Sequence, residues 1–282
     1  MIYISTGGFN TQTFVETTEI LSNHGIDKIE LSGGKPCPGV EQSLWELAQK
    51  NQLVLHNYFP PPQRPFVFNL ASLNKEIINL SIEHARYAIE LSHLIGVDFY
   101  SFHAGFLIDP GADEIGNKLN IREVNNRREA LNVFIDNVNR LSEYAKERGV
   151  KLLIENNVLS NANFKEFGVN PLLMTDHGET SEILKRTTSN VGLLIDVAHL
   201  KVSSASLNFD KADYLIEFSE HTCGYHLSDN DGTEDSNQKL TQNSWFWPHI
   251  RRDLSFYSLE VYREPVTELV AQRDLVEQII GN

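Results

Sequence analysis

Short apolar runs recur along this chain, each followed by a polar loop and then by apolar positions at helical spacing. The runs IYIS, KIEL, LVLH, FYSFH, KLLIE, VGLLID, GYHL and FYSLEV read as eight strands. The LLI and GLLI cores are continuous rather than alternating, as strands buried on both faces require. Residues 74–95 put Ile77, Leu80, His84, Tyr87, Leu91 and Leu94 on one helical face. Residues 121–148 do the same with Leu131, Phe134, Val138, Leu141 and Ala145, and Gly149 stands where a left-handed residue would end that helix. The helix ahead of FYSLEV is weakly marked, with WFWPHIRR as its best candidate. Strand–helix units of about 35 residues each predict an α/β fold, a (β/α)8 TIM barrel, with one domain over residues 1–282. A doubly wound sheet competes, but it would bring a Gly-rich phosphate turn after its first strand. STGGFN has two glycines without that spacing.

Composition narrows the partners. The chain has 282 residues, 41% of them apolar, enough for a sizeable core. Its 24 basic and 38 acidic residues leave a net charge of −14, which argues against a nucleic-acid partner. No apolar run reaches the roughly 18 residues of a membrane span. MIYISTGGFN lacks a basic flank and reads as a first strand rather than a signal peptide. Two cysteines, Cys37 and Cys223, are too few for a disulfide framework, so a reducing cytoplasm is the expected location. Composition leaves the oligomeric state open between a monomer and a homo-oligomer.

The chemistry lies at the strand ends. Barrels carry their active sites at the C-terminal ends of the strands. From the second run to the eighth, those ends hold Glu30, His56, His103, Glu155, Asp196, His226 and Glu260. For Glu30 the ordinary reading, a polar residue where a strand stops, is preferred. Glu155, Asp196, His226 and Glu260 read differently, because carboxylates aimed at one axis repel one another without a cation. With a divalent metal they form a ligand set of three carboxylates and one imidazole. Oxygen-rich coordination favours Mn2+ or Mg2+, and the histidine admits Zn2+ or Co2+. No thiolate is placed for a structural zinc site.

SFHAG at His103, LLIEN at Glu155, LLIDVAH from Asp196 to His199, HLSDNDG from His226 and YSLEV at Glu260 carry a resemblance. Together they resemble the xylose isomerase-like TIM barrel superfamily of sugar isomerases, ketose 3-epimerases, dehydratases and apurinic-site endonucleases. The resemblance implies one divalent ion on Glu155, Asp196, His226 and Glu260. It implies substrate binding or a further zinc at His199, and either substrate binding or a second ion at His56 and His103. Two departures limit it. The endonucleases' Asp-x-His pair after the strand-seven histidine is missing from DGTEDSNQKLTQNSWFW, and the arginine of some ketose epimerases is replaced by Gly232.

The expected activity is metal-dependent isomerisation or epimerisation of a sugar, sugar derivative or keto acid. Glu155 and Glu260 would move the proton, and Mn2+ is the favoured cofactor. A dehydratase, a phosphodiesterase and a non-catalytic sugar-binding barrel are the rivals. Asp229 is close enough in sequence to His226 to bond it or a substrate hydroxyl. HNYFPPPQRPF, residues 56–66, reads equally as a packed rim loop or a specificity loop. SWFWP reads as packing, and His84 and His93 read as helix residues without a chemical role.

Overall fold

A computed structural model describes residues 1–111, 114 and 120–281. Eight strands run in the expected places: β1 Ile2–Ser5, β2 Lys28–Leu31, β3 Gln52–Leu55, β4 Phe99–His103, β5 Lys151–Glu155, β6 Val191–Asp196, β7 Thr222–Leu227 and β8 Tyr257–Leu259. All neighbouring pairs are parallel, in the order β3-β2-β1-β8-β7-β6-β5-β4. Between β3 and β4 there is no ladder. One bridge, His56 to Ser101, nearly closes the barrel, with Asn57 N donating to Ser101 O at 2.6 Å.

The helices are α1 Phe14–Ser22, α2 Val40–Ala48, α3 Lys75–Leu94, α4 Arg127–Lys146, α5 Asn161–Phe167, α6 His177–Arg186, α7 Val197–Leu207, α8 Lys211–Glu217 and α9 Val266–Ile280. Polar side chains start most of them; α2 and α9, which follow Gly39 and Pro265, have no side-chain cap. Asn74 caps α3, Asn126 caps α4, and Thr13 forms a reciprocal box with Glu16 at α1. The capping asparagine explains why α4 begins at Arg127 rather than near residue 121. Gly149 is left-handed, at φ 70°, as its position predicted.

One expectation fails. Among the described residues no helix joins β7 to β8, and WFWPHIRR forms short turns instead. Pro248 has no N–H for a helical ladder. Trp247 Nε1 donates to Thr241 O at 2.8 Å, and Phe246 and Trp247 are buried, so packing holds the segment.

Strand parity sorts the side chains. Ile4, Ile29, Leu55, Phe102, Ile154, Ile195, Tyr225 and Leu259 belong to the main core shared with the helices. The alternate residues point into the barrel. Its lower layer is Tyr3, Val54, Leu153, Leu194 and Phe256. Gly224 makes room there, since a Cβ at that position would lie 2.3 Å from Phe256 Cδ1. Two residues further along the same inward rows come Ser5, His56, Glu155, Asp196 and Ser258. The apolar plug thus gives way to a polar layer at the C-terminal mouth.

Candidate metal centre

Register brings the polar layer together. His103 pairs with Glu155, Asp196 with His226, and Ser5 with Glu30. Glu155, Asp196 and His226 are fully buried, and Glu260 is nearly so. Ligand atoms of Glu155, Asp196, His226 and Glu260 all lie within 4.8 Å of one another, and the same holds for His56, His103 and Glu155. Glu155 belongs to both sets. Its Oε1 is 3.2 Å from His226 Nδ1 and 3.3 Å from His199 Nδ1; its Oε2 is 3.3 Å from His56 Nε2 and 3.4 Å from His103 Nδ1.

Local folding accounts for the Asp-x-x-His spacing. Asp196 ends β6 and caps α7, its Oδ1 accepting from His199 N at 2.6 Å. His199 then sits one turn in, with its ring back over the barrel. The asparagines of KLLIENN lace the strand ends together. Asn156 Oδ1 accepts from Asp196 N at 2.8 Å, and its own carbonyl lies 3.0 Å from His199 Nδ1. Asn157 donates to the carbonyls of Ala104, Gly105 and Leu173.

The donor chemistry fits a divalent cation. Glu30 Oε2, Glu155 Oε2 and Asp196 Oδ2 are buried with no hydrogen-bond partner. Such orphans are costly unless something positive takes them. The protonation pattern shows the same strain. Burial lifts Glu260 to about 8 and Asp196 to about 6, and drives His56 down to about 3. Burial would also lift Glu155, but His103, His226 and His56 hold it well below the usual carboxylate range. His226 is raised, burial being overridden by Glu30, Glu260 and Glu155.

His56, His103, Glu155, Asp196, His199, His226 and Glu260 therefore meet at one place. Asp229 does not join them. The backbone of Asp229 pairs with Gln238, and its carboxylate turns to Lys201, 2.7 Å away, rather than to His226. Two further residues enter the cluster. Glu30 is completely buried, with Oε1 2.9 Å from His226 Nε2. A carboxylate on one imidazole nitrogen fixes the ring so that the other, Nδ1, faces Glu155 and Glu260. Parity could have found it: Ile29 and Leu31 face outward, so Glu30 must face inward. Asp235 lies 3.2 Å from His199 Nε2 and keeps a buried, unpartnered Oδ1. No sequence spacing marked it, because its loop folds back over the mouth.

His84 and the proline-rich loop settle into packing. His84 stacks on Tyr58 with centroids 5.5 Å apart, and its Nε2 is 3.2 Å from Asn57 O. Burial lowers it to about 4, which keeps the ring neutral.

Fold and site define a parallel α/β barrel with a buried carboxylate–imidazole cluster at the strand C-termini. The chain belongs to the xylose isomerase-like TIM barrel family, which matches residues 18–259. No curated protein matches it in sequence. Among solved structures it is similar to a D-tagatose 3-epimerase-like protein, at 18% identity and TM-score 0.74, over 99% of this chain and 97% of the other. D-psicose 3-epimerase from Clostridium cellulolyticum H10, solved with D-tagatose, gives 11% identity and TM-score 0.68, over 99% of each chain. The IOLI protein with a bound zinc atom gives 14% and 0.66, over 99% of this chain and 98% of that one. At such identities the likeness is one of fold.

Proposed function

We propose that the protein is a divalent-metal-dependent isomerase or epimerase of a sugar or sugar-like keto substrate. The observation that carries this is the convergence of Glu155, Asp196, His226 and Glu260 within 4.8 Å, two glutamates among them. These four residues hold the ion, which supplies Lewis-acid polarisation of a substrate carbonyl. A hydrogen next to such a carbonyl is acidic, and Glu155 and Glu260 remove and return it. Glu30 holds the His226 ring, and His199 orients a substrate hydroxyl. The epimerases that share this fold support a sugar substrate.

The test is turnover in D2O, once a substrate is found by screening sugars and keto-sugars. Deuterium is expected on a carbon next to the carbonyl. Complete retention of substrate hydrogen through many turnovers would replace proton transfer with a hydride shift.

A second reading, hydrolysis at two ions, is favoured by the sharing of Glu155 between two ligand sets. It requires two tightly held ions per chain and cleavage of a phosphodiester such as bis(4-nitrophenyl) phosphate. The net charge of −14 weighs against a nucleic-acid substrate.

Both readings make the histidines beside Glu155 more important for activity than for folding. His56→Ala and His103→Ala are each expected to lower turnover about 10–100-fold. Circular dichroism should stay at that of the unaltered protein. Full activity in both variants would remove the pair from the site.

A further inference from the structure

The cluster is also held from the side of β1 and β8. Glu260 Oε1 accepts two hydrogen bonds, from Tyr262 Oη at 2.9 Å and from Ser5 Oγ at 3.1 Å. Its Oε2 lies on the other side, 3.6 Å from His226 Nδ1. A carboxylate with two hydroxyl donors on one oxygen cannot turn freely about its Cγ–Cδ bond. Its second oxygen is left as the one that faces the centre.

The tyrosine can reach this position only because of the STGG turn after β1. A Cβ at Gly7 would lie 2.2 Å from Tyr262 Oη and 2.8 Å from Cζ, and one at Gly8 would lie 3.0 Å from Cδ1. Any side chain at residue 7 would push the phenol off Glu260. The glycine pair that lacks the spacing of a phosphate loop is instead the seat of an aromatic ring. Backbone pairing fixes the other end, Tyr262 N donating to Asn237 O at 3.1 Å.

We infer that Tyr262, seated on Gly7 and Gly8, is a positioning residue that together with Ser5 fixes the Glu260 carboxylate so that Oε2 alone turns to the metal. The inference rests on reading Glu260 as a metal ligand. It extends the centre beyond its ligands, since groups that hydrogen-bond a ligand commonly govern metal affinity about 10–100-fold.

Calorimetric titration of Mn2+ into metal-depleted full-length protein tests this without any substrate. Tyr262→Phe keeps the ring and removes only the hydroxyl. It is expected to weaken Mn2+ binding about 10–100-fold, with the melting temperature of the metal-free form held within about 4 °C. Ser5→Ala should act in the same direction, and combining it with Tyr262→Phe should weaken binding further. Gly7→Ala should reproduce the loss with Tyr262 intact, because the added methyl displaces the ring. Should Gly7→Ala fail to fold, Tyr262→Phe decides alone. Unchanged Mn2+ affinity in Tyr262→Phe overturns the inference while leaving Glu260 as a ligand. A larger fall in metal-free melting temperature marks the hydroxyl as a structural contact and overturns it equally. If the unaltered protein takes up no Mn2+, the reading of Glu260 falls first and the inference falls with it.

Discussion

Glu155→Gln is expected to abolish turnover, by about 10^3-fold or more, and to remove divalent-metal uptake at both ligand sets. Glu155 stands at the hub of the cluster. Its two oxygens face His226, His199, His56 and His103 at 3.2 to 3.4 Å. An amide of the same shape replaces one acceptor oxygen by an N–H donor, and it carries no charge for a cation. In the metal-free protein the change strips His226 and His199, the two imidazoles held in their charged form, of a counter-charge. Breaking a buried ionic network in this way costs about 3–5 kcal/mol. Elemental analysis after metal loading, the melting temperature and a turnover assay together check the expectation. A Glu155→Gln variant that still binds one ion tightly would confine Glu155 to one ligand set, and retained turnover would take it out of the mechanism.

Chelation is the second large effect, and it carries a pH signature. EDTA is expected to abolish turnover, and Mn2+ to restore it. Without the ion, burial raises Glu260 from 4.5 to about 8 and Asp196 from 3.8 to about 6. A group whose folded pKa is raised stabilises the fold while it is protonated in both states. That contribution is lost as pH climbs from the unfolded value through the folded one. His226 and His199 are raised as well, so they act in the same direction. His56, lowered from 6.5 to about 3, acts oppositely, but only below 6.5. Between pH 6.5 and 8 the metal-free protein should therefore lose stability as pH rises. Metal uptake displaces the same protons, so it should tighten over that window. The rise in melting temperature on adding Mn2+ is then expected to be larger at pH 8 than at pH 6.5. A rise that is the same at both would contradict the assignment of Glu260 as a protonated ligand, since Asp196, at about 6, is already largely ionised at the start of that window.

The fold was legible because strand signals are local. KLLIE and VGLLID are apolar runs whose ends coincide with the observed strand ends. Six of the seven clustered residues were legible for a related reason, since barrel geometry converts the end of a strand run into a position facing the mouth, whereas His199, inside α7, was marked only by the family resemblance. Glu30 stands among those strand ends but reads there as an ordinary polar terminus; strand alternation, with Ile29 and Leu31 facing outward, is what reveals that it faces the centre. Asp229 and Asp235 show where the rule stops. Both lie beyond β7, on a segment whose path is set by the Asp229–Gln238 pairing and not by any periodicity. There the nearer residue in sequence turned to Lys201 and the more distant one reached His199. The WFWPHIRR segment misled in a different way. Its aromatic content is a burial signal, and burial was satisfied by turns.

The single bridge between β3 and β4 gives the barrel a clasp. A cylinder hydrogen-bonded at every junction is a rigid hoop, whereas this one is a rolled sheet whose two free edges touch at His56 and Ser101. The imidazole at that touching point, with Nδ1 3.0 Å from Ser101 Oγ, turns its Nε2 to Glu155 on β5. The same side chain thus stands both at the closing seam and in the polar layer. His56 is the pin that joins the seam of the rolled sheet to the centre, bonded to Ser101 on one ring nitrogen and facing Glu155 with the other.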